Sequence, residues 1–162
     1  MKYAIVYSSP TGNTRMLAEA LAAALPEGDC LYVGAPDEAA LAADQVYVGF
    51  WTDKGNCDEK SAAFLTRLTT QRVFFFGTAG FGGSAAYFEE ILQRVKQQLP
   101  AGVQVVGTYM CQGKMPMAVR HRYEAMEDSP RKQEMLDNFD RALAHPNEED
   151  LQTLQEMVQK RW

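Results

Sequence analysis

The sequence predicts an α/β fold: a three-layer, doubly wound sheet of five parallel strands in the order 2-1-3-4-5, with extra helices at its C-terminal end. Three observations predict it. Short apolar runs rich in β-branched and aromatic residues alternate with helical periods. The runs are continuously apolar, as strands covered on both faces are. Hydroxyl- and glycine-rich segments follow the first, third and fourth runs, and a sheet of this order brings those loops to one crevice.

The first strand is KYAIVYS, residues 2 to 8. From 12 to 25, GNTRMLAEALAAAL, the period becomes helical, with Met16, Leu17, Ala20, Leu21, Ala24 and Leu25 on one face until Pro26 and Gly28 stop it. Residues 30 to 34 form a second strand and 36 to 43 a short helix with proline at its start. The third strand, 46 to 50, leads into the polar loop WTDKGN and a helix over 58 to 69. VFFF, 73 to 76, is the fourth strand and runs into the loop GTAGFGGS, followed by a helix over 85 to 99 that Pro100 and Gly102 break. The fifth strand is 103 to 110. Beyond it no strand pattern recurs, and helices are expected near 117 to 128, 131 to 143 and 147 to 160, one of which closes the outer face of the sheet. With no repeats and no linker composition, the whole of 1–162 reads as a single domain.

Composition removes several function classes. The net charge is −5 and no basic face or tail points to nucleic acid. The first residues turn polar too soon for a signal peptide, and no apolar run has the length of a membrane span. Cys30, Cys57 and Cys111 are widely spaced, with no CxxC pair and no metal-ligand rhythm, which suggests reduced thiols in a cytoplasm.

The chemistry is expected in the three loops. Ser9-Pro10-Thr11-Gly12-Asn13-Thr14 enters a helix N-terminus, where free N–H groups and the helix dipole favour an anion. Gly12 permits close approach, and the hydroxyls of Ser9, Thr11 and Thr14 and the amide of Asn13 are candidate donors to phosphate oxygens. No lysine or arginine lies inside this loop, and a neutral cradle suits a phosphate monoester better than a triphosphate. The Walker pattern is absent: Gly113-Lys114 has the wrong spacing and no following Ser or Thr. A capping turn rich in hydroxyls is the alternative.

At these residues the stretch IVYSSPTGNTRMLAEA resembles the FMN-phosphate loop of flavodoxins, with Ile5, Val6, Tyr7, Ser9, Gly12, Thr14 and Ala18 in the signature places. Glu19 stands where that family usually has an aliphatic residue, a departure that touches helix packing more than the ligand. The resemblance implies that Trp51, Thr52, Asp53, Lys54 and Gly55 hold one side of the isoalloxazine ring. Gly55 would be the residue whose peptide flips on reduction, so that a carbonyl accepts from flavin N5. Trp51 either stacks on the flavin or caps the core. Lys54 either lies near the N1 edge, where it would favour the anionic reduced flavin, or is a solvated lysine paired with Asp53 or Asp58. The loop is about a residue longer than in the shortest members. Thr78, Ala79, Gly80, Phe81 and Gly82 take the place of the loop covering the other face, Phe81 standing where the family often has tyrosine or tryptophan; Gly83 follows in the same loop.

The resemblance covers residues 1 to 110 well, and MCQGKMPMAVRHRYEAM is similar to a subgroup of the family from anaerobes. Cys111-Gln112-Gly113-Lys114 follows the fifth strand at the same sheet end and borders the ring or a partner. Met110, Met115, Met117, Met126 and Met135 are either a soft docking surface or core filler. The implied function is that of an FMN-binding carrier shuttling low-potential electrons between a donor reductase and an acceptor enzyme, with no catalytic base of its own. The alternatives are an FMN-dependent oxidoreductase acting on a quinone or other small molecule, and a cofactor-free receiver or scaffold.

Overall fold

The computed structural model describes residues 1–82 and 84–161; Gly83 of the third loop lies outside the described residues. The strands are β1 (Tyr3–Tyr7), β2 (Cys30–Gly34), β3 (Gln45–Asp53), β4 (Asn56–Cys57), β5 (Arg72–Ala79) and β6 (Gln104–Gln112). The helices are α1 (Asn13–Ala24), α2 (Glu59–Leu65), α3 (Ala85–Lys96), α4 (Met117–Glu124), α5 (Pro130–Ala142) and α6 (Glu148–Arg161). The sheet runs β2-β1-β3-β5-β6, every one of these neighbours parallel. Taken without β4, this is the expected order 2-1-3-4-5.

Side-chain alternation along the strands divides the core in two. Val73 and Phe75 of β5 join Val46, Val48 and Phe50 of β3 beneath α2 and α3, where Phe64, Leu65, Ile91 and Val95 meet them. Phe74 and Phe76 point the other way, with Ile5 and Tyr47, onto Leu17 and Leu21 of α1 and Leu154 and Val158 of α6. Thus α6, the last helix in the chain, completes the layer that α1 begins. Helix α5 buries only Asn138, Phe139 and Ala142, and α4 buries nothing and packs on α5.

Several boundaries differ from the expectations, among them the helix expected over 117 to 128, which ends at Glu124, and the fifth strand, which runs on to Gln112. The helix expected over 36 to 43 is a 3₁₀ turn, Glu38–Ala42: Asp37 accepts from Ala39 N, and Ala43 N donates to Ala40 O, so the short segment closes tightly. The helix expected over 58 to 69 spans only Glu59–Leu65. Strand β5 continues through Gly77, Thr78 and Ala79 because β3 on one side and β6 on the other extend its ladder. The polar loop after β3 is in fact a hairpin. β3 runs on to Asp53, and Thr52 and Asp53 pair with Cys57 and Asn56 of β4. Lys54 (φ 53°) and Gly55 (φ 78°) form the two-residue turn, both left-handed, which matches the twist of the flanking strands.

Candidate functional site

A crevice of about 520 Å³ opens at the carboxyl ends of β1, β3, β5 and β6. The three expected loops all reach it, and the segment after β6 forms a fourth wall.

The first loop contributes Pro10, Thr11 and Asn13 to the wall. Gly12 caps α1 with φ 90° and no side-chain cap, a conformation costing about 1–2 kcal/mol for a residue bearing Cβ. Its carbonyl accepts from Met16 N, and Ser9 Oγ accepts from Arg15 N at 3.0 Å. The N–H groups of Gly12, Asn13 and Thr14 have no partner among the described residues, and the first turn of α1 holds no acidic residue. Three unpaired donors at the positive end of a helix dipole form an anion cradle.

The side chains around this cradle are more committed than the sequence suggests. Thr14, 1% exposed, shares a hydrogen bond with Thr78 Oγ1 (3.1 Å) and donates to Phe50 O (3.3 Å). Its hydroxyl therefore binds α1 to β3 and β5, and its backbone N–H is the part left at the cradle. Asn13 Nδ2 donates to Lys114 O at 2.8 Å, while its Oδ1 is buried without a donor. A ligand carrying phosphate and hydroxyl groups would satisfy both kinds of orphan, the N–H donors and this acceptor. The residues present therefore fit a phosphorylated, polyhydroxylated cofactor such as FMN.

The β3–β4 hairpin supplies the second wall. Trp51, Thr52, Lys54 and Gly55 line the crevice, and Thr52 Oγ1 donates to Thr78 O at 2.9 Å. Gly55 O accepts from Arg94 Nη1 of α3 at 3.0 Å. Asp53 does not line this crevice. It faces a second depression, of about 480 Å³, on the other side of Trp51, together with Tyr7, Ser9, Asp58 and Glu59. Asp58 is buried, with its carboxylate accepting from Trp51 N, Ser61 N and Ser61 Oγ. Lys54 is exposed and forms an ion pair with neither Asp53 nor Asp58.

Thr78, Ala79, Gly80 and Phe81 form the third wall. Gly80 O accepts from both Gln112 Nε2 (3.2 Å) and Asn138 Nδ2 (2.9 Å), which fixes the loop against α5. Phe81 is 43% exposed and stands edge-on to Tyr87, ring centroids 6.4 Å apart. Gly82 (φ 89°) does not reach the crevice but lies so close to Tyr87 that a Cβ there would strike its ring.

Two contributions were not expected. Tyr87 projects from the first turn of α3 into the crevice. Met115 and Pro116 extend the fourth wall beyond Gly113 and Lys114, with Gly113 N bonded to Ala79 O. Cys111 and Met110 instead lie buried in β6, where burial pushes the Cys111 thiol well up from its usual range. Met115 is half-buried in the crevice wall, and Met117 and Met126 are exposed. Tyr87 left a signal, an aromatic three residues after the capping Ser84; the 115–116 segment left none beyond its proximity to β6.

The chain is 42% identical to the flavodoxin-like domain-containing protein BilS of Clostridium symbiosum (strain WAL-14163), a match spanning 98% of this chain and 94% of that protein. Among solved structures it resembles a short-chain flavodoxin associated with a non-canonical PDU bacterial microcompartment (TM-score 0.54, 18% identity, 89% of this chain and 97% of that one). It also resembles a flavoprotein of Lactobacillus acidophilus NCFM solved in complex with FMN (TM-score 0.52, 12% identity, 76% and 98%). At such identities the structures show a shared fold alone. That fold, the full-length similarity and a family model of the flavodoxin domain matching residues 4–159 together establish that the chain belongs to the flavodoxin domain family.

Proposed function

We propose that this chain binds FMN and carries electrons between redox enzymes. The observation that carries the reading is the cradle of unpaired N–H groups at Gly12, Asn13 and Thr14, opening onto a crevice with aromatic side chains on two walls. Bound FMN would supply one- and two-electron redox chemistry. The chain's own part is to bind and orient. The start of α1 holds the phosphate, Asn13 Oδ1 accepts from a hydroxyl, and Trp51 with Phe81 and Tyr87 excludes water from the ring. A donor reductase and an acceptor enzyme are the partners this function requires. Purified protein should be yellow, release FMN on acid treatment, and rebind it one to one as followed by flavin fluorescence. A folded chain that takes up no FMN would refute the reading.

The second depression favours a second reading, that of an FMN-dependent reductase acting on a quinone or other small molecule, because it shares Trp51 with the crevice and has carboxylates of its own. Sustained turnover with NAD(P)H and a quinone, without a partner reductase, would support it. No turnover beyond the rate of free FMN would leave the carrier.

A further inference from the structure

The walls of the crevice have a one-sided charge. Lys54 reaches it from the β3 side and Lys114 from the β6 side, and no carboxylate is among the described residues that line it, although the chain as a whole carries −5. Both lysines are exposed, and neither has an ion-pair partner among the described residues. The nearest carboxylates along the hairpin and α2, Asp53, Asp58 and Glu59, belong to the depression behind Trp51. Arg94, the other cation at the hairpin, is engaged by Gly55 O.

Two unpaired cations in a carboxylate-free crevice favour whichever form of a ligand has more negative charge. Reduction of FMN takes up two electrons and one proton at neutral pH and so adds one negative charge to the ring. On the reading that this crevice binds FMN, we infer that Lys54 and Lys114 tighten the hold on reduced FMN relative to oxidised FMN and so raise the chain's two-electron potential. The pair thus acts as a tuning device, placing this carrier above one whose crevice is lined by carboxylates.

The test measures the dissociation constants of oxidised FMN and of dithionite-reduced FMN for the full chain and its Lys54→Gln, Lys114→Gln and double variants, with the midpoint potential as an independent readout. Because the charges are exposed, each substitution should weaken reduced FMN by about threefold relative to oxidised FMN. The double variant should lose about tenfold, equivalent to about 30 mV in a two-electron couple. Lys54→Arg and Lys114→Arg should restore the wild-type ratio, and Lys114→Glu should move it further in the direction of glutamine. The far-UV circular dichroism and urea midpoint of the ligand-free chain, matching wild type, report that each variant is folded. Wild-type protein that binds FMN, with a double variant whose reduced-to-oxidised ratio is unchanged, overturns this inference alone, as does an arginine variant that behaves like glutamine. Wild-type protein that binds no FMN overturns the function and this inference together.

Discussion

Thr14 separates two ways of reading the same loop. As a phosphate donor its hydroxyl would face the crevice; in the structure it faces Thr78 and Phe50 O inside the sheet. Removing a buried hydroxyl that bridges two partners costs about 1–2 kcal/mol. Thr14→Val should therefore lower stability by that amount in urea unfolding while changing FMN affinity less than about threefold, since the backbone N–H remains. Gly12→Ala should do the opposite to the site. At φ 90° a Cβ is strained by about 1–2 kcal/mol, and relief of that strain moves the N–H groups out of register. FMN affinity should fall at least about tenfold, measured by fluorescence titration. A Gly12→Ala protein with wild-type affinity would mean that the cradle is elsewhere. The residue types of this loop were legible in the sequence, but the direction of each side chain was not. Spacing identifies a helix start and does not say which hydroxyls the sheet will claim.

Among the elements, β5 carries the most. Phe74, Phe75 and Phe76 are fully buried and alternate between the two halves of the core, so one strand ties both helix layers together. Phe75→Ala should cost about 3–5 kcal/mol, read as a shift of the urea midpoint with unchanged slope. A cost below about 1 kcal/mol would show that the α2–α3 side does not depend on it. The strand cores and the long helices were legible from periodicity. Their ends were not, because Gly77-Thr78-Ala79 has the composition of a loop and becomes strand only through the ladders on either side. The hairpin was hidden for a related reason. Lys-Gly is a poor signature for a turn with two left-handed residues, usually marked by asparagine or aspartate before glycine. It is the pairing of Thr52 with Cys57 that makes the turn.

At the scale of the molecule, the topology was legible and the closing of the sheet only half so. Three C-terminal helices were expected and one was expected to cover the sheet, but nothing in their patterns distinguished α6. What selects it is Leu154 and Val158 meeting the aromatic face of the sheet. That face also buries phenols. Burial raises Tyr47 to about 12 even though Gln45 donates to its oxygen, and burial pushes Tyr3 and Tyr109 higher still. A phenol whose folded pKa lies above its unfolded value of 10 favours the folded chain while it stays protonated. This stabilisation is complete below pH 10 and is lost as pH rises through 12. The urea midpoint should therefore be insensitive to these groups up to about pH 9 and fall steeply from pH 10 to 12; a flat profile across that window would show that the tyrosines are accessible to hydroxide.

The hydrogen bond from Arg94 to Gly55 O reaches back from near the end of α3 to the tip of the hairpin. Tyr87, near the start of the same helix, stands in the crevice wall. One helix therefore touches the crevice at one end and holds its rim at the other. Anything that displaces the rim must either break that grip or drag the helix along, and a partner pressing on the outer surface of α3 would have a lever on the cofactor without ever meeting it.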